Sequence, residues 1–317
     1  MSILDRDYFK DEEKAFAKLE SVLWPGGPVC PHCGVVNDAH KIAANPKKKV
    51  RYGLYRCNAC KCQFTVTVGT VFESSHIPLH KWLQAAYLLC SSKKGISAKQ
   101  IERTLEITYK SAWFMMHRLR EAMAPAKPGP LGGEGMVIEA DETYMGKRKG
   151  IPSGPSKFVS GFGWVSPPPR ENYRKIVALV ERGGKARSFH VDRVNKRTIR
   201  KILFENASRA SELMTDEHTV YPATGAHFVA HFTVNHSQEE YVRDRAHTNT
   251  VEGFFSIFKR GMKGIYQHCS EKHLHRYLAE FDFRYSEREA LGVDDVARTE
   301  RALAGAQGKR LTYRNPD

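Results

Sequence analysis

Two C-x2-C pairs, Cys30-Pro-His-Cys33 and Cys57-Asn-Ala-Cys60, constrain the fold of this chain more than any other feature of it. Two thiols on one tight turn face a common point, and two such turns supply four soft ligands for one tetrahedral ion. Four thiolates suit zinc, so Cys30, Cys33, Cys57 and Cys60 are expected to hold one structural Zn2+. The segment KVRYGLYRC, 49–57, reads as strand leading into the second pair, as a zinc ribbon requires. A core this small is marginal without its metal, and the ion is then part of the folding energy. The chain has seven cysteines, an odd count that favours metal over a disulfide framework. Cys62 and His32 lie nearby as spare donors. Cys90 and Cys269 are expected in apolar surroundings as core residues.

Charge points to a partner. Lys and Arg number 50 against 35 Asp and Glu, a net +15 that argues for a polyanion. From Lys41 to Lys61 the chain has seven basic residues and no acidic one. Beside a zinc ribbon this run reads as a phosphate-contacting surface, with Lys47, Lys48, Lys49 and Arg51 at its centre; the alternative is a solvated basic face. No apolar run approaches the roughly 20 residues needed to span a bilayer. The opening MSILDRDYFKDEEKAF is too acidic and polar for a secretory or transit signal. A cytoplasmic location and no membrane partner are therefore expected.

The strongest boundary is PAKPGPLGG, 125–133, where three prolines and three glycines forbid a regular element. Before it, residues 1–27 hold an amphipathic helix (Phe9, Ala15, Phe16, Leu19, Val22, Leu23) that stops at Pro25. Residues 28–72 form the cysteine region, and residues 78–124 are helical. Within the last, SAKQIERTLEITYKSAWFMMHRLREAM, 97–123, has the shape of a helix-turn-helix. Ser97 caps the first helix, Ile107-Thr108 makes the turn, and Ala112, Met115, Met116 and Leu119 face inward. In such a motif the early residues of the second helix reach bases, here Tyr109, Lys110 and Ser111, with His117, Arg118 and Arg120 further along.

After the boundary the pattern becomes strands mixed with helices, over 134–290. MVIEAD (136–141), KIVALVER (175–182), ARSFHVD (186–192), SELMTD (211–216) and FVAHFTVNH (228–236) read as strands, the second and third joined at Gly183-Gly184. Helices are expected at 195–207, 248–262 and 271–285. The Gly/Pro/Lys-rich insertion 146–172 reads as a loop, and 291–317 as a basic tail.

Three carboxylates stand out by position. Asp141 ends one strand, Asp216 ends another, and Glu252 sits on a helix in HTNTVEGFFSIFKRG. Acids at the ends of adjacent strands, with a third from a following helix, can hold two hard divalent cations about 4 Å apart. Asn249, Glu252, Ser256 and Lys259 recur at helical spacing and share a face, placing Lys259, with Arg260 beside it, where DNA would lie. Glu139, Glu142 and Glu217 are rival ligands or solvated bystanders. His218 and Tyr221 either line the site or are buried structural residues.

Together these residues resemble a bacterial DDE-type insertion-sequence transposase with an N-terminal zinc ribbon, of the group related to Merlin elements. The segments that carry the resemblance are the double C-x2-C ribbon, AWFMMHRLREAM, ADETYMGKRKG, LMTDEHTVY, HTNTVEGFFSIFKRG and KHLHRYLAEFDFRYS. It implies a multidomain α/β chain whose ribbon and helix-turn-helix precede a ribonuclease H-like mixed-sheet catalytic domain with two Mg2+ or Mn2+ ions. Carried over by position, the acidic triad is Asp141, Asp216 and Glu252, with Lys259 as basic helper and Asn249 a separate residue. The expected partners are double-stranded DNA, both terminal inverted repeats and target, and a second copy of the chain, in a bacterial, nucleoid-associated setting. A non-catalytic DNA-binding regulator and a stand-alone nuclease of the same fold are the competing readings.

Overall fold

The computed structural model describes residues 2–48, 50–147, 157–159, 163–165, 173–235, 242–243 and 245–312. The chain is a mixed α/β protein. It divides into two compact units, residues 1–126 with 288–317, and residues 127–287.

In the first unit, α1 (Glu12–Leu23) starts where the Asp11 side chain accepts the Lys14 N–H at 2.8 Å, satisfying an otherwise orphaned donor. It buries Ala15, Leu19 and Leu23 on one stripe. The ribbon is a three-stranded antiparallel sheet of β1 (Ala39–Lys41), β2 (Tyr55–Cys57) and β3 (Gln63–Phe64), in that order. Only the last three residues of KVRYGLYRC are strand. The chain turns before them at Gly53, with φ +65°, and a Cβ there would lie 2.4 Å from the Phe16 ring. That close approach needs glycine and interrupts the expected longer strand.

Three helices follow: α2 (Leu79–Ser91), α3 (Ala98–Leu105) and α4 (Tyr109–Met123). Pro78 gives α2 no side-chain cap. Glu12 from α1 supplies one, accepting the N–H groups of Leu79 at 2.8 Å and His80 at 3.2 Å. Ser97 caps α3 as expected, and Ile101, Leu105, Ala112, Met115, Met116 and Leu119 are buried. Between the helices Glu106 takes the left-handed conformation, φ 51°, and Thr108 caps α4.

The second unit contains, in chain order, β4 (Val137–Lys147), β5 (Lys157–Val159), β6 (Gly163–Val165), β7 (Tyr173–Glu181), β8 (Ala186–Val191), α5 (Lys196–Asn206), β9 (Glu212–Asp216), α6 (Pro222–Gly225), β10 (Ala230–Val234), α7 (Asn249–Gly261) and α8 (Leu274–Ser286). Its main sheet has the order β10-β9-β4-β7-β8. The pairs β4–β7 and β7–β8 are antiparallel, while β4–β9 and β9–β10 are parallel. A tight turn at Gly183-Gly184 can only join antiparallel neighbours; the helical crossover through α5 carries the chain from one edge to β9.

Alternate residues of the strands face opposite sides, and both sides are covered. Ile138, Ala140, Val177, Leu179 and Leu213 pack on Ile199, Ile202 and Leu203 of α5. Ile176, Ala178 and Val180 pack on Val251, Phe254, Phe255 and Phe258 of α7 and on Leu274, Leu278 and Phe281 of α8. The phenylalanines of α7 thus meet the sheet, as their helical spacing predicts. Within the 146–172 insertion, read from sequence as a loop, β5 and β6 pair antiparallel; most of the rest lies outside the described residues, as does His236.

The segment 291–317, expected as a tail, instead contains α9 (Asp295–Ala304), capped by Asp294 and burying Ala302 and Leu303. Beyond it Lys309 donates to the carbonyls of Glu121 at 2.9 Å and Ala122 at 3.1 Å, and to that of Ala124. A cation suits the exposed carbonyls that end α4, so the basic character of this segment serves docking. Residues 313–317 lie outside the described residues.

Candidate functional site

The four paired cysteines converge. All four Sγ atoms lie within 4.8 Å of one another, with Cys30 3.6 Å from Cys60 and Cys33 3.6 Å from Cys57. A tetrahedron with Zn–S bonds of about 2.3 Å has edges of about 3.8 Å, so the donors fit one zinc ion. Their closeness also separates their protonation. The Cys60 N–H, foremost, helps bring Cys57 down to about 7. The backbone at Cys62 pulls Cys60 down, but burial and the thiols of Cys30, Cys33 and Cys57 outweigh it and push Cys60 up to about 12. Without a cation thiols this close resist ionising together, and zinc at their centre would hold all four as thiolates. Cys90 is buried as expected, while Cys269 is half-buried and its thiol donates to the Ser270 carbonyl.

In the second unit β4 and β9 run parallel in the register Val137↔Glu212, Ile138↔Leu213, Glu139↔Met214. The pairing ends there, two positions short of Asp141 and Asp216, which carry the same offset onward along the two strands. Both project to the side on which α7 lies, two residues beyond Glu139 and Met214. Glu252 occupies the first turn of α7. The consequence is electrostatic: Asp141 is pushed up to about 8, first by burial, then by Glu142, Asp216 and Glu252, against the opposing Glu142 N–H. Burial and neighbouring negative charge both disfavour the ionised form of this carboxyl. Among the described residues the thiol quartet is the only group of three or more such donors within 4.8 Å, so the carboxylates do not close around a single ion.

The rival acids have other partners. Glu139, fully buried, accepts the N–H of Thr250 at 2.8 Å, that of Val251 at 3.0 Å and the Thr250 hydroxyl at 2.8 Å. It thereby caps α7 from a neighbouring strand, since Thr248 at the N-cap position makes no side-chain cap. The Thr248 hydroxyl instead donates to Glu252 Oε1 at 2.8 Å. Arg182 completes the anchor, donating to Glu139 at 2.6 Å and to the carbonyls of Arg245 and His247, each at 2.8 Å. Neither Arg182 nor Thr248 is among the residues the sequence singles out; an unremarkable Arg and Thr acquire this role only through strand register. Glu142 faces the opposite side, where the buried Tyr221 hydroxyl donates to it at 2.7 Å and His218 Nε2 lies 3.7 Å away. Burial, above all, and then the charge of Glu142 hold the Tyr221 phenol well above its ordinary value. Asp216 accepts the His218 N–H at 3.1 Å, and Glu217 is exposed.

Asn249, Lys259 and Arg260 are exposed on α7, as are Lys47, Lys48 and Arg51 in the ribbon and Tyr109 and Lys110 at the start of α4. Lys99 sits over the Tyr109 ring at 4.8 Å, and Ser111 hydrogen-bonds the Thr108 cap. Lys49 lies outside the described residues. Arg118 requires a correction. It is 7% exposed, lies over the Phe114 ring, and donates to the carbonyls of Leu311 at 3.1 Å and Glu73 at 3.0 Å. Such a guanidinium holds protein segments together and does not face a solvent-side partner. His117 and Arg120 are buried as well.

Comparison with known proteins agrees with this organisation. Residues 130–286 match the ISXO2-like transposase domain, and residues 10–63 match the transposase zinc-ribbon domain. The chain belongs to the ISXO2-like transposases. The ISXO2-like match spans all three carboxylates, and the ribbon match takes in α1 as well as the four cysteines. This transposase is also 26% identical to an uncharacterized protein in transposable element ISH50 of Halobacterium salinarum, over 292 residues that cover 87% of the chain and 91% of the relative. Among the described residues, no helix is long and apolar enough to cross a membrane.

Proposed function

We propose that this transposase binds the terminal inverted repeats of its element, cuts the element ends, and joins the freed 3′-OH groups to target DNA. The observation that supports the reading is the placement of Asp141 and Asp216 on adjacent parallel strands, just beyond Glu139 and Met214, with Glu252 in the first turn of α7; burial first, then Glu142, Asp216 and Glu252, raise Asp141 to about 8. The sheet order, three antiparallel strands continued by two parallel ones, supports a ribonuclease H-like fold. A cluster of hard oxygen donors whose charges repel is suited to Mg2+ or Mn2+. Two such ions supply an activated oxygen nucleophile and stabilise the leaving oxygen of an in-line displacement.

The residues then divide the work. Asp141, Asp216 and Glu252 hold the cations, with Glu252 oriented by Thr248. Lys259, two turns along α7, and Arg260 neutralise the DNA strand laid over the site, while Asn249 on the same face contacts its sugar-phosphate. In the first step the oxygen of water bonds to phosphorus and the element's 3′ oxygen leaves, giving a 3′-OH and a 5′-phosphate. In the second that 3′-OH attacks a target phosphodiester, its proton passing to solvent, and a target 3′ oxygen leaves. One phosphodiester replaces another, with no covalent protein–DNA intermediate. The ribbon, through Lys47, Lys48, Lys49 and Arg51, and the start of α4, through Tyr109, Lys110 and Ser111, bind the ends, and a dimer or larger assembly pairs them.

The experiment is end cleavage and strand transfer on labelled terminal DNA with Mg2+. Wild-type protein should cut and join; Asp141→Asn, Asp216→Asn and Glu252→Gln should bind ends and do neither. Cutting without joining identifies a stand-alone nuclease, and end binding without cutting by the wild type identifies a regulator.

A further inference from the structure

The second unit spends most of its guanidinium groups internally. Arg174 donates to the Cys269 carbonyl, Arg182 to Glu139, Arg187 to Asn206 at 3.0 Å and to Gly129 at 2.8 Å, and Arg245 to Glu212 at 2.7 Å. Away from Lys259 and Arg260 of α7, a further group of cations departs from this habit. Arg193, Arg197 and Lys201 are exposed, and among the described residues none of them forms an ion pair. They line a groove of about 630 Å3 between the end of β8 and α5. Arg197 and Lys201, four residues apart, share one face of α5, and Arg193, in the extended approach to the helix, lines the same groove. At 1.5 Å per residue the helical pair spans about 6 Å, over which one DNA strand presents about two phosphates, at about 3.4 Å each, and Arg193 adds a third cation beside them. Lys196 and Arg200 flank the groove, and its lining holds two acids, Asp192 and Glu205.

Topology puts the groove near the acidic site without belonging to it. Val191, the last residue of β8, pairs with Lys175 near the start of β7, and Tyr173 pairs with Lys147 at the end of β4. The groove therefore opens at the edge of the sheet where β4 and β9 end, on the face opposite α7.

We infer that the Arg193–Arg197–Lys201 groove is a second DNA site, which grips the phosphate backbone of duplex DNA without regard to base sequence. Asn195 and Asn206, the groove's amides, cannot read bases: Asn195 caps α5 through the Thr198 N–H, and Asn206 bonds Arg187 and the Ile202 carbonyl. Point cations along a groove position a backbone and carry no sequence information. The inference rests on DNA being this chain's substrate, and it places a hold on DNA in the unit that bears the carboxylates.

The test is the salt dependence of duplex binding by the full chain, with no divalent cation added, on a labelled element end and on an unrelated duplex. Each lost phosphate contact reduces the slope of log K against log salt by about 0.9. The combined variant Arg193→Gln, Arg197→Gln, Lys201→Gln should lower the slope by about 2 to 3 on both duplexes. The charge-retaining pair Arg193→Lys, Arg197→Lys should keep the wild-type slope, which separates charge from folding. An unchanged slope on both duplexes overturns the inference, and a reduced slope on the element end alone overturns its sequence independence. Because no cleavage is read, a chain that shows the shift yet never cuts DNA would sink the transposition reading and leave the groove standing.

Discussion

The Glu139 carboxylate receives the backbone N–H of Thr250 at 2.8 Å, fastening the first turn of α7 to the strand that carries Asp141. Asp141 lies two positions after Glu139, and Glu252 two positions after Thr250. One buried contact thus sets the distance between two carboxylates more than a hundred positions apart in the chain. Glu12 does the same for α2, another helix whose own N-cap residue makes no cap. Here a distant carboxylate at a helix N-terminus is a recurrent means of fixing one element on another.

Replacing Glu139 by Ala should cost about 3–5 kcal/mol, since it strands Arg182 and two helix N–H groups in a buried place. Glu139→Gln retains the shape and should lose less stability. Its Mn2+ affinity should still fall several-fold, because α7 is held less firmly. Thermal unfolding and Mn2+ titration read the two effects separately; a Gln variant with wild-type Mn2+ affinity would show that the anchor does not position Glu252.

Stability should depend on pH through Asp141. In the folded chain its proton is retained up to about pH 8, whereas an unfolded aspartate releases it near about 3.9. Between those values the folded state binds more protons, so stability falls as pH rises, by several kcal/mol. Without added divalent cation the unfolding midpoint should drop from pH 5 to pH 8. Asp141→Asn should remove most of that slope, and Mn2+ at pH 8 should stabilise wild type but not the variant. A flat profile in the wild type contradicts the clustering of charge.

Zinc removal should unfold the ribbon. One Zn2+ per chain is expected from the quartet, and Cys57→Ser should lose it together with the antiparallel pairing of β1, β2 and β3. Zinc analysis beside circular dichroism checks this. A well-folded preparation without zinc would refute it.

Arg118 and Lys110, eight residues apart on α4, should behave oppositely. Lys110→Ala should lower the salt slope of end binding by about 1 with little effect on stability. Arg118→Ala should leave the slope unchanged and lower the unfolding midpoint, because its hydrogen bonds to Glu73 and Leu311 are lost. Equal loss of slope in both variants would return Arg118 to the DNA surface.

Much of this is legible in the sequence alone. The spacing of Cys30, Cys33, Cys57 and Cys60 is a local signal, and local turns bring it together. The apolar periodicities of α4 and α7 gave their buried faces correctly, since periodicity records which side meets a core. Asp216 ends β9 as its sequence suggests, but Asp141 lies within β4, which continues to Lys147; what brings the two aspartates together is the β4–β9 register, which neither strand contains alone. Arg118 was misplaced because a buried, carbonyl-bonded guanidinium and an exposed one look alike in sequence. The same limit hid α9 and the Lys309 contact, whose basic, short-helix composition resembles that of a solvated tail.

The most direct measurement is Mn2+ binding to zinc-loaded, full-length protein, followed by electron paramagnetic resonance. The account predicts saturable binding approaching two ions per chain, weakened at least tenfold by each of Asp141→Asn, Asp216→Asn and Glu252→Gln. Binding that never saturates, or that is indifferent to all three substitutions, would contradict it.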